Sequence, residues 1–327
     1  MIFITGCNGL VGSFIARRLV LNGEQLLALR RRDSDMSLLK DIENSIEWIE
    51  GDVSDTEILN KAMEKCETVI HAAAIISFSS SKRDLMYNVN VEGTSNVVNA
   101  ALKNKIKKFC YISSIAAIGR KKDELIINES TLWEDSEMNT HYAKSKHLAE
   151  LEVWRGIEEG LPAFILNPSV VLGPGNWNNG STKLFNYIIK RNRFYTNGFI
   201  SYVDVDDVAE ITTALLIKGI VGERYILNAG HVTYKELFNS IARSFGVTAP
   251  SIEVGKFLSE IAWRFERIRS IFSASEPIIT KETVKLSGFS FEYENTKIAT
   301  LLNYKFCSLD ETTKKTCDKL LYNNVNK

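Results

Sequence analysis

The sequence predicts a doubly wound α/β fold: a parallel sheet covered by helices on both faces, with a smaller, mostly helical second domain. Three observations carry this expectation. Apolar, β-favouring runs alternate with helical stretches through the first half of the chain; the first run breaks into a glycine-rich turn; and small or polar residues follow the end of each run. Near-continuous apolar strands separated by amphipathic helices indicate a sheet buried on both faces, and open sheets of that kind bind ligands beyond the carboxyl ends of their strands.

The elements follow in order. Met1 to Thr5 is the first strand, and it gives way to Gly6-Cys7-Asn8-Gly9-Leu10-Val11-Gly12 and a helical pattern through Phe14, Ile15 and Leu19 that stops at Asn22-Gly23. Such a turn aims backbone N–H groups and a helix N-terminus at a ligand, which favours a pyrophosphate. The spacing is GxxGxxG where the usual fingerprint is GxGxxG, and glycine triplets also occur in ordinary strand-to-helix turns. Further strands are expected at Gln25 to Leu29, Ile46 to Ile49, Thr68 to Ala74, Phe109 to Ser113 and Ala163 to Leu166. The residues beyond them are Arg30-Arg31-Arg32, then Gly51 to Asp55, then His71 with Ala72, Ala73 and Ala74, then Ser113-Ser114. Asp52 could accept a bond from an adenine amino group. The alanines would let backbone lie against a cofactor, or would serve close helix-to-sheet packing.

From Pro168 the pattern changes to a Gly- and Asn-rich loop, Gly173 to Gly180, and a helix from Thr182 to Ile189. Sheet character returns at Ile200 to Val203 and Tyr225 to Asn228, while Tyr234 to Phe245 and the stretch from Lys256 onward read as helical. The expected division is 1–167 with 200–232 as a dinucleotide-binding domain, and 168–199 with 233–327 as a substrate-binding domain.

Composition narrows the class. Of 327 residues, 45% are hydrophobic, enough for a substantial core. Lys+Arg and Asp+Glu are both 40, so no basic field exists to hold nucleic acid. The five cysteines are scattered, with no CxxC pair and only four histidines, which suggests neither a disulfide framework nor a zinc site. No run is long and apolar enough to span a bilayer, and a strand beginning at Met1 leaves no room for a secretory signal, so a cytoplasmic protein is expected.

The chemistry centres on Ser114, Tyr142 and Lys146. In a helical context the Tyr142 phenol and the Lys146 ammonium lie on one face. A tyrosine titrates near pKa ~10, and a nearby cation lowers that value, making the phenol useful near neutrality. A serine at the tip of the neighbouring strand would hold the substrate oxygen. The spacing YxxxK recurs at Tyr293 and Lys297, but no serine-tipped strand precedes that copy, and Tyr293 is read as structural.

TGCNGLVG, GDVSD, VIHAAA, NVNVEGT, YISSIAAIG, YAKSK, NPSVVLGPG and YVDVDDVAE occur in the order found in extended short-chain dehydrogenase/reductases, which the chain resembles over about residues 1 to 230. This part looks nearest the dihydroflavonol 4-reductase and 3β-hydroxysteroid dehydrogenase branch. The resemblance implies hydride transfer between NAD(P) and a carbonyl or alcohol, with Ser114, Tyr142 and Lys146 as the catalytic triad. It implies cofactor contacts at Gly6, Asn8, Gly9, Leu10, Val11, Gly12, Arg30, Asp52, Val53, Ala72, Ala73, Ala74, Asn90, Tyr142, Lys146, Asn167, Pro168 and Val170, with Asn90 ordering the site. Asn167 stands where the family most often has Arg.

NADP is the expected cofactor and NAD the second choice, because Arg30 occupies the position after the second strand where an acid would bond an NAD ribose; a solvated basic turn is the plain alternative. Substrate class rests on two features. The stretch Thr196 to Phe199 lacks the arginine that nucleotide-sugar 4-epimerases and dehydratases use for the diphosphate. Phe257, Ile261, Phe265, Ile268 and Phe272 form a helical stripe, which is packing on its own domain, a lid over an apolar substrate, or a membrane-touching face. An NADP(H)-dependent reductase of a small apolar carbonyl compound is therefore expected ahead of an epimerase using bound NAD. A cofactor-sensing regulator is set aside because the Tyr-Lys pair is intact. Dimers are frequent in this family, which makes a homodimer the expected assembly.

Overall fold

The computed structural model describes residues 1–120, 126–136, 138–254 and 291–325. The strands are β1 (Ile2–Thr5), β2 (Leu26–Arg30), β3 (Ile46–Glu50), β4 (Thr68–His71), β5 (Lys108–Ile112), β6 (Ile126–Ile127), β7 (Ala163–Pro168), β8 (Val170–Leu172), β9 (Phe194–Thr196), β10 (Phe199–Asp204), β11 (Glu223–Leu227), β12 (Gly230–Thr233), β13 (Ile252–Val254) and β14 (Glu292–Tyr293). Seven of them form one parallel sheet in the order β11-β7-β5-β4-β1-β2-β3. The winding reverses between β1 and β4, and the crevice between them is where such folds take a dinucleotide.

Helices cover both faces. α1 (Leu10–Leu21) and the later α7 (Val205–Lys218) close one core, around Ile4, Ile15, Ala28, Ile70, Leu166 and Val208; α2 (Thr56–Met63), α4 (Gly93–Lys103) and α5 (His141–Glu158) close the other, around Phe3, Leu59, Val97, Phe109, Val153 and Ile165. Between α2 and α4 lie α3 (Arg83–Tyr87) and a π-helical turn, Asn88–Glu92. The expected strand Thr68 to Ala74 stops at His71. Its partner β1 ends at Thr5, because Gly6 turns the chain with φ +68°, so Ala72 N–H bonds Thr5 O and the ladder has nothing further to pair with.

A second layer of structure begins after β7. β8, β10 and β12 form a three-stranded sheet, and α6 (Thr182–Ile189) and α8 (Tyr234–Phe245) pack beside it with the helix Leu309–Val325 around Leu172, Phe185, Ile200, Leu237 and Leu320. Helix Thr296–Leu302 departs from the expected division: Ile298 is buried in the first core of the large sheet. The apolar stripe Phe257 to Phe272 lies outside the described residues. Among the described residues no helix is long and apolar enough to cross a membrane, and no group of His, Cys, Asp and Glu could hold a metal ion.

Candidate active site

The glycine turn is built by close approach. A Cβ on Gly6 would lie 2.5 Å from Ala73 N, and one on Gly12 would lie 2.1 Å from Gly6 O, so neither position accepts a side chain. Gly9 caps α1 with no side-chain bond to the first-turn N–H groups, which leaves that positive helix end available to an anion. Asn8, Leu10 and Val11 are half-buried around it, and Ala72, Ala73 and Ala74 run from the end of β4 beside it. These residues fit a dinucleotide phosphate.

At the far edge of the crevice, Arg30 lies 3.5 Å from Glu43 and over the Trp48 ring at 5.4 Å, and Arg32 pairs with Glu50 at 3.0 Å. Arg31 is exposed. The Asp52 carboxylate accepts Ser54 N–H at 3.1 Å, a turn bond that leaves the residue half-buried at the end of β3. The Val53 side chain is buried beneath Gly93 and its carbonyl accepts Asn96 Nδ2, so it braces α4.

Thr140 caps α5, its hydroxyl accepting Ala143 N–H at 3.0 Å, and this places Tyr142 in the first turn of the helix. The Ser114 hydroxyl, just past the end of β5, accepts Ala116 N–H at 3.1 Å and stands near enough to the Tyr142 phenol to pull against its upward shift. Phe78 stands edge-on to Tyr142 with ring centroids 6.2 Å apart, and it is exposed, as is Ile76. Lys146 departs from expectation. Its ammonium donates to Tyr111 Oη at 2.8 Å and Ile112 O at 2.9 Å and lies 4.4 Å above the Tyr111 ring. Burial then dominates both titrations: the Tyr142 phenol is pushed up to about 12 against the opposing pull of Ser114, and Lys146, 1% exposed, is pushed down to about 7, with Glu150 opposing. In this state the lysine does not make the tyrosine acidic.

Two expected cofactor contacts also bond the protein frame through their side-chain amides, although Asn167 Oδ1 has no partner among the described residues. Asn90 Oδ1 accepts Ile75 N–H at 2.7 Å, and its Nδ2 donates to Ile75 O and to Ser145 Oγ, both at 3.0 Å, which clamps the segment beyond Ala74 against α5. Asn167 is wholly buried, its Nδ2 donating to Ser114 O at 3.0 Å and to Glu150 at 2.8 Å. Pro168 ends β7 in the interior, whereas Val170 is part-exposed on β8. The second Tyr/Lys pair is structural in geometry: Tyr293 lies on β14 with its hydroxyl accepting Arg120 Nε, and Lys297, on the next helix, pairs with Glu223.

Motif reading missed the roles of Glu150 and Arg224, and it named His71 and Tyr111 only as parts of strand-end motifs. Glu150 carried a signal of its own, an acid on the same buried helical stripe as Ala143, Lys146 and Val153.

The sequence profile of the NAD dependent epimerase/dehydratase family matches residues 2–230. A Synechocystis sp. protein named a dihydroflavonol 4-reductase is 30% identical over 90% of this chain and 87% of its own, and the tetraketide alpha-pyrone reductase 1 of Arabidopsis thaliana is 25% identical over 94% and 91%. The crystal structure of gox2253 superimposes with a TM-score of 0.83 at 30% identity, covering 99% of this chain and 98% of that one. A UDP-glucose 4-epimerase from Thermotoga maritima shares the fold at a TM-score of 0.79 and 19% identity, over 99% of each chain. Since the matched span holds the glycine turn, the Ser114–Tyr142 pair and every strand of the large sheet, the chain is an enzyme of the NAD-dependent epimerase/dehydratase family.

Proposed function

We propose that the protein is an NADP(H)-dependent oxidoreductase that reduces the carbonyl of a small apolar substrate. The observation that carries this reading is the Tyr142 phenol near Ser114 and edge-on to the exposed ring of Phe78, in a segment that also exposes Ile76. The glycine turn and α1 would hold the dinucleotide, Arg30 its 2′-phosphate, and Lys146 its nicotinamide ribose. The bound dinucleotide supplies the hydride. Ser114 holds the substrate oxygen in line with Tyr142. A phenol pushed up to about 12 stays protonated at neutral pH, so Tyr142 is poised as the acid that protonates the forming alkoxide, a stronger base than phenolate. Residues 168–199 and 233–254 would contribute to the substrate-facing part. Relatives with reductase names support reduction as the reaction. The five thiols, none in a disulfide, suit a reducing cytoplasm, and sedimentation would check the expected homodimer.

The test is a thermal-shift screen of NADPH-loaded protein with apolar ketones and aldehydes beside UDP- and dTDP-sugars, followed by NADPH oxidation with each hit. Tyr142→Phe is expected to lower turnover by roughly 10²-fold or more, with NADPH affinity nearly unchanged. Stabilisation by a nucleotide sugar, with epimerised product and no net NADPH consumption, would overturn the reading.

A further inference from the structure

The reacting groups sit on separate elements. Ser114 lies on the turn after β5, while Tyr142 and Lys146 lie on α5, and their spacing depends on what joins the two. Glu150, one helical turn beyond Lys146 and 2% exposed, is that joint. Its Oε2 accepts Ser113 Oγ at 2.7 Å and Asn167 Nδ2 at 2.8 Å, and the same Nδ2 donates to the Ser114 carbonyl. Its Oε1 accepts Arg224 from β11 at 3.0 Å and, more weakly, Trp154 Nε1 at 3.4 Å. Arg224 is fixed in turn by the carbonyls of Glu129 and Thr131 at 2.8 and 3.0 Å.

The charge of Glu150 matters as much as its bonds. Lys146 is faced by Tyr111 from β5, by His71 from β4, and by Tyr142 and Glu150 from its own helix. Both tyrosines are pushed up and His71 is pushed down by burial, so all three are neutral near pH 7. Among these groups Tyr111 favours the ammonium as a neutral acceptor and ring, and Glu150 is the one whose negative charge acts on it.

We propose that Glu150 is a positioning residue: it holds the Ser114 turn against the Tyr142–Lys146 helix and supplies the negative charge facing Lys146, its own place set by Arg224. This rests on the reading that Lys146 meets the bound dinucleotide. That reading and this one separate in a single experiment, NADPH affinity followed by fluorescence across pH 5.5 to 9 for the full chain, on the order of one pH unit being the smallest displacement that counts. The wild type is expected to lose affinity in a step near the Lys146 value of about 7, and Lys146→Met is expected to abolish the step. Glu150→Gln, which keeps hydrogen-bonding capacity and removes the charge, should move the step to lower pH by about one unit or more. Glu150→Gln/Arg224→Met removes both charges and should move it likewise, which covers failure of the single variant to fold.

A Lys146-dependent step that stays at the wild-type pH in both variants overturns the role of Glu150 and leaves the cofactor reading standing. A step that survives Lys146→Met overturns both.

Discussion

His71 shows how a residue at the tip of a strand can set a property of the molecule that its motif does not announce. Its Nδ1 meets Thr5 Oγ1 at 2.7 Å and its Nε2 meets Thr94 Oγ1 at 2.9 Å, inside a wholly buried site where the ring stacks on Tyr111. The Thr94 hydroxyl donates to Asn90 O. Thr94 therefore has only acceptor capacity left for His71, which fixes the neutral imidazole with its proton on Nε2. Burial, with Lys146 nearby, pushes the ring down to about 3 from an ordinary 6.5. The unfolded chain takes up this proton below about 6.5 and the folded one refuses it, so stability is lost as pH falls from there toward 3. The loss should be on the order of a few kcal/mol. His71→Gln is expected to be less stable than wild type at pH 7 but to lose less between pH 6.5 and 4.5; urea unfolding at both pH values measures it. An equal acid loss in the two proteins would remove His71 as its source.

Among elements, the junction of α5 with β7 and β11 stands out because its charge is buried. Glu150 and Arg224 are 2% and 17% exposed and pair at 3.0 Å, with further donors on the carboxylate. Removing one partner of such a pair strands the other, a loss of roughly 3–5 kcal/mol, whereas removing both is far milder. Arg224→Met should therefore fall in that range in denaturant unfolding, and Glu150→Gln/Arg224→Met should recover much of the loss. If the double variant were the less stable by the sum of both singles, the pair would not be coupled. The π-helical turn Asn88–Glu92 does comparable work without charge. It buries Asn90, whose amide ties the strand-tip segment at Ile75 to α5 through Ser145.

For the whole molecule, the cofactor is the natural ligand of the folded state alone. At 100 times its Kd, NADPH should raise stability by about 2.7 kcal/mol, and NADH at the same concentration should do less if Arg30 reads the 2′-phosphate. Arg30 is bracketed by Glu43 and Trp48, so Arg30→Asp would set two carboxylates where the phosphate comes and should reverse or abolish the preference. Calorimetry with both cofactors on both proteins measures it; tighter NADH binding to wild type would refute the assignment.

The alternation of apolar runs, the glycine turn and the Tyr142–Lys146 spacing were legible in the chain because each is a local pattern: strand and helix periods, a backbone conformation only glycine tolerates, and two side chains on one helical face. The sequence by itself thus determined the fold class and the close-packed glycine turn, and it named Ser114, Tyr142 and Lys146 as the candidates for the chemistry. It did not determine how Lys146 titrates or where it points. Those depend on Tyr111, His71 and Glu150, and on the Arg224 that fixes Glu150, brought in by β5, β4, α5 and β11 from up to 78 positions away from Lys146 in the chain. Desolvation and Coulomb interactions act through space, so only the tertiary structure, by burying that group of side chains together, decided which of them carry charge.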